Sequence, residues 1–201
     1  SALLELALEG KLKNPEVLHS QIERMLADSR SQRFSQNFME QWLGLEALET
    51  VIIDQTKFKG YDDLFKENIQ QEPLTFFEEV LKKNSSIMDF LHSDYLMINE
   101  ALARHYGIPE VYGQKFRKVA VGPESNRGGL LTTAAVMTMN STGVDSNPLK
   151  RGIWMLERIL HDPPPPPPPN VPVVDLTDPK ILSMTQKERM ADHRNQAACR
   201  S

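Results

Sequence analysis

Two residues near the end of the chain have side chains suited to holding a cofactor: Cys199, the only cysteine, and His193 shortly before it. A single thiol closes no internal disulfide, and a thiolate becomes a nucleophile or soft metal ligand only where its surroundings lower its pKa. By residue type alone Cys199 reads as an incidental thiol. His19, His92, His105 and His161 stand singly, without the partner spacing of a zinc or nonhaem iron site. Met184 and Met190 could offer thioethers, but nine methionines in the chain make packing the commoner use. Asp62-Asp63 and Glu78-Glu79 are adjacent on helical segments and point in different directions, so they read as solvated faces rather than acid–base pairs. The sequence has no serine nucleophile elbow, phosphate loop or HExxH motif, and no metal site is expected within it.

These residues must be positioned by helices. Asn14-Pro15 and Asn147-Pro148 each pair an N-cap residue with proline at the first helical position. In the second helix Leu149, Ile153, Leu156 and Leu160 recur at helical spacing and predict a buried face. Seven prolines from Pro163 follow and force polyproline II, a stiff spacer of about 3.1 Å per residue. Its flanks, His161-Asp162 and Asn170-Val171, lack the basic residues usual in groove-binding proline motifs, so it reads as a strut.

From Ser31, the stripe Phe34, Phe38, Trp42 and Leu45 predicts a helix with an aromatic core face ending at Gly44. Residues 61–83 predict a helix that Pro73 kinks or breaks near Glu72. An extended connection is expected at 94–97 and one possible strand at 116–121. A polar helix is expected from Thr185 to about Asp192. The expected fold is mostly α, an irregular multi-helix bundle with a polyproline II segment and an extended C-terminal linker.

The totals exclude more than they assign. A 201-residue chain, 40% hydrophobic and 25% charged with a net charge of −4, has the composition of an ordinary globular protein without a basic nucleic-acid surface. No apolar run approaches the roughly 18–20 residues of a membrane helix. The start at Ser1 without methionine reads as that of an internal fragment, which leaves export open.

The stretch SDYLMINEALARHYGI resembles the helical domains of unknown function in exported planctomycete-type cytochrome c domain proteins. RGGLLTTAAVMT, NPLKRGIWMLERIL and PPPPPPPNVP, in that order, resemble the opening of the planctomycete cytochrome c domain. The resemblance implies two parts: 1–112, a helical domain of unknown function, and 125–201, the start of the cytochrome c domain. In that family a His-Arg pair, here His193-Arg194, is followed by a Cys-x-x-Cys-His haem attachment sequence. Cys199-Arg200-Ser201 matches its first three positions. The resemblance therefore implies haem c in the longer protein, attached through Cys199, with His193 as ligand, propionate partner or helix-end cation. It also implies an exported, periplasmic setting, an unidentified redox partner and contacts with neighbouring domains. It names no reaction, and the segment to Ser201 is not expected to hold haem by two thioethers. The rival reading is a helical scaffold module with a polyproline spacer and no redox role.

Overall fold

The computed structural model describes residues 2–166 and 179–195. The prolines beyond Pro166, the linker to residue 178 and Cys199 lie outside the described residues. Helix α1 (Ala2–Leu8) is followed by Gly10 in the left-handed region, at φ 68°. Helix α2 (Pro15–Ala27) is opened by Asn14, whose side-chain oxygen accepts from the Glu16 N–H at 2.9 Å. The polar chemistry at both ends is local and comes directly from residue type. Helix α3 (Ser31–Leu43) stops at Gly44, as expected. Leu18, Ile22 and Met25 of α2 stay largely exposed.

Helix α4 (Asp63–Lys83) begins where Asp62 accepts from the Phe65 N–H at 2.7 Å. It runs as one helix through Pro73, so the expected break is absent. Proline in a helix interior costs about 3 kcal/mol. Here Ile69, Leu74, Phe76, Phe77 and Val80 are all buried along the same helix. At about 1.5–3 kcal/mol for each large apolar side chain removed from water, their burial outweighs the loss of one hydrogen bond.

Strand β1 (Tyr95–Ile98) pairs antiparallel with β2 (Arg117–Ala120), with Tyr95 opposite Ala120 and Ile98 opposite Arg117. Both fall where extended chain is expected. Helix α5 (Glu100–Tyr106) follows β1 directly and is capped by the fully buried Asn99, which accepts from the Leu102 N–H. Helices α6 (Ala134–Met139), α7 (Pro148–Arg158), α8 (Pro179–Ser183) and α9 (Gln186–Asn195) complete the described fold, which is mostly α. One buried cluster joins α3, α4, β1 and α5 to Leu130, Val136, Met139 and Trp154, so packing is continuous across residues 112–125.

Helix α7 buries a different face from the expected one. Leu149, Ile153 and Leu160 are 65%, 37% and 57% exposed and Leu156 is half-buried, whereas Trp154 is 8% exposed and Met155 and Ile159 pack beside it. The reason lies in the carbonyls at the end of α3. The last carbonyls of a helix have no partner within it and attract cations and donors. Trp154 Nε1 donates to the Leu43 carbonyl at 2.8 Å, and Arg158 Nη1 donates to that of Gln41 at 3.1 Å. In return, Trp42 Nε1 donates to the Arg158 carbonyl at 2.8 Å. Arg151, Trp154 and Met155 fall at i, i+3 and i+4 and make this the inward face, with Arg158 at i+7 reaching the carbonyls from its exposed edge. The aromatic stripe of α3 packs at the edge: Phe38 stacks on Phe77 at 5.3 Å, while Phe34 and Phe38 remain partly exposed and Met39 and Leu43 fill the interior.

Gly44 sits at the centre of this junction with φ 69°, and a Cβ there would stand 3.0 Å from Arg158 Nη2. Gly44→Ala should cost about 1–2 kcal/mol from the left-handed backbone alone. Urea unfolding of the two proteins measures it, and an unchanged midpoint would contradict the described turn.

Candidate functional site

A buried carboxylate lies where the two halves of the sequence meet. Glu72, on the inner face of α4, is 1% exposed. The Tyr106 hydroxyl at the end of α5 lies 2.8 and 2.7 Å from its two carboxyl oxygens. The Ala134 N–H, at the start of α6, donates to Glu72 Oε2 and to the Tyr106 hydroxyl, both at 2.8 Å. The Arg127 guanidinium lies over the Tyr106 ring at 3.8 Å and donates to the Thr132 carbonyl. Buried polar groups cost little only when satisfied, and this one is. Burial nevertheless disfavours the charge and pushes the Glu72 carboxyl up to about 7, against the opposing pull of Tyr106, Ala134 N–H and Arg127. The Tyr106 hydroxyl is raised well above the ordinary phenol range by burial and the facing carboxylate. The cluster has the form of a tie between helices. It reaches solvent through neither oxygen.

Beside it opens a cleft of about 760 Å³ between α4, α5 and the loops at 53–62 and 141–146. Its walls include Phe58, Leu64, Phe65, Met137 and Val144, with His105 among them. The His105 ring lies 5.0 Å from that of Phe65 and 5.4 Å from that of Tyr106. Burial and the nearby Arg127 lower its pKa, which favours the neutral imidazole at pH 7. Met137 Sδ accepts from Arg151 Nη1 at 3.2 Å. At the rim, Asp145 pairs with Arg189 of α9 at 3.8 Å.

The residues singled out by sequence do not gather here. Cys199 lies outside the described residues. His193 falls on α9, and its side chain lies outside them too. Met190 is exposed, His19 pairs with Glu23 in solvent, and His92 and His161 are exposed. Among the described residues, no group of three or more histidine, cysteine or acidic side chains could hold a metal ion. None of the described helices is long and apolar enough to cross a membrane. Glu72 escaped sequence reasoning because of its charge, although it stands in phase with Ile69, Phe76 and Val80 on the apolar face of α4.

Fold and site together define a mostly α protein with a carboxylate-tied core and an apolar cleft. Residues 1–108 match the family model PSD4, a protein of unknown function (DUF1592), and residues 127–201 match PSCyt3, a protein of unknown function (DUF1588). The first match spans more than half of the chain, which belongs to this PSD4 family. Both are planctomycete cytochrome c-associated domains. No curated protein and no solved structure matches the chain.

Proposed function

We propose that this chain is a segment of an exported bacterial c-type cytochrome domain protein that carries covalent haem and passes electrons to or from a partner. What supports the reading is the order of the two family matches together with Cys199-Arg200-Ser201, which fits the first three positions of a Cys-x-x-Cys-His pattern. The chemistry requires that pattern. In such a pattern two thiols would hold haem as thioethers and the adjacent imidazole would ligate its iron, and of these groups this sequence supplies the Cys199 thiol. In this division of labour the helical core is a platform, and the chain after Asp162 leads to the attachment site.

The test is to extend the chain by the next residues of its parent gene and express it with a haem-maturation system. The expected product has a c-type absorption spectrum and keeps its colour on the denatured polypeptide, and Cys199→Ala loses the normal two-thioether spectrum. Any pair other than Cys-His directly after Ser201, or a colourless product, overturns the reading. The scaffold reading would then stand, favoured by the exposed stripe of Leu149, Ile153 and Leu160 ahead of the prolines.

A further inference from the structure

We propose that the cleft beside α5 binds a small monocarboxylate with an apolar or aromatic body, and that Arg151 of α7 anchors its carboxylate. This site owes nothing to haem; what points to it is an orphaned donor. The Nε–H of Arg151 is buried and meets no acceptor among the described residues. The only acceptor that its guanidinium has among them is the Met137 thioether, 3.2 Å from Nη1. A thioether is a weak, neutral acceptor, and a cationic fork of five N–H groups withdrawn from water is poorly satisfied by it. No described carboxylate pairs with Arg151, whereas the neighbouring cations Arg189 and Lys150 are met by Asp145 and by the Met139 carbonyl.

Met137 connects this cation to the cleft. It stands on the cleft wall and Arg151 does not, so the thioether lies between guanidinium and cleft. Methionine is unbranched and flexible, and at 37% exposure Met137 has room to turn aside. A carboxylate in its place gives the guanidinium two parallel charge-assisted bonds, which one sulfur cannot. The rest of the cleft suits an apolar body: Phe58, Phe65 and Val144 line it, and its volume of about 760 Å³ lies within the roughly 300–1,000 Å³ of ligand clefts. Arg104, the other arginine here, is already paired with Glu100. Asp62 and Asp145 on the walls repel further negative charge, so a monoanion is favoured over a phosphate ester or a dicarboxylate.

The experiment titrates naphthoate into the 201-residue chain and follows heat and naphthyl fluorescence, with naphthylmethanol as the uncharged body and acetate as the bare head. Naphthoate should bind at one site, at least tenfold more tightly than either comparison compound. Arg151→Met keeps an apolar stem and removes the cation, so it should lower naphthoate affinity at least tenfold and leave that for naphthylmethanol unchanged. Met137→Leu removes the competing acceptor and should bind naphthoate at least as tightly as wild type. The comparison of acid with alcohol needs no variant and decides the matter even where thermal unfolding shows that Arg151→Met has not folded. No saturable binding of naphthoate, or equal binding of acid and alcohol, overturns the proposal. So does a folded Arg151→Met that binds naphthoate like wild type, or a tenfold loss in Met137→Leu.

Discussion

Trp154→Ala is expected to lower the unfolding free energy of the chain by about 3–5 kcal/mol, the usual cost of removing a buried aromatic ring. That is a large share of the 5–15 kcal/mol by which domains are ordinarily stable. The ring is the buried anchor of α7, and its N–H satisfies the Leu43 carbonyl at the end of α3. Trp154→Phe keeps most of the volume but leaves that carbonyl without its donor, for an expected loss of about 1–3 kcal/mol. Urea unfolding orders the three proteins as wild type, phenylalanine, alanine. The alanine variant should also be cut by protease within residues 141–162 faster than wild type, because α7 then loses its buried anchor and keeps only its flanking contacts, among them those of Arg158, Trp42 and Met155. An alanine variant within about 0.5 kcal/mol of wild type, the range of neutral surface changes, would mean that α7 is not seated through Trp154. The consequence reaches the proposed function, since the path to Cys199 starts from this helix.

What could be read ahead of the structure follows from the range of the forces involved. The starts of α2 and α7 and the end of α3 depend on a cap, a proline or a glycine within a few residues, and each lies where those residues predict. The buried face of α7 depends on carbonyls more than a hundred residues earlier. Its leucine and isoleucine stripe and its Trp154 face are both plausible seams, and the carbonyls left over at the end of α3 select between them. Pro73 is a similar case: the local cost was legible, but the burial that offsets it comes from β1, α5 and α6 packing around α4. The cleft has no sequence signature, because Phe58, Phe65, His105 and Met137 are brought together only by packing. His105 therefore looked like one more scattered histidine.

Glu72→Gln should remove a pH dependence of stability that the wild type carries between about 4.5 and 7. In the unfolded chain the carboxyl titrates near its ordinary 4.5, while in the folded protein burial holds its proton to about 7. Between these values the folded state binds more protons, so stability falls as pH rises and is flat in this group above about 7. The full span corresponds to an effect on the order of 3 kcal/mol. Glutamine stays neutral throughout, can accept from the Ala134 N–H, and can donate to the Tyr106 oxygen. The variant should therefore match wild type near pH 5 and exceed it at pH 8. His105 contributes with the opposite sign: its lowered pKa favours the neutral imidazole when folded, so its contribution is lost as pH falls below its unfolded value. Because both proteins retain His105 and Arg127, the difference between their unfolding free energies isolates Glu72. Glu72→Leu separates the charge from the tie. It leaves the Ala134 N–H and the Tyr106 hydroxyl bonded only to each other, and it should be destabilised at pH 5, where glutamine is not. A constant difference between glutamine and wild type from pH 5 to 8 would show that Glu72 keeps an ordinary carboxylate pKa, and that the tie between α4, α5 and α6 is ionised whenever the protein is folded.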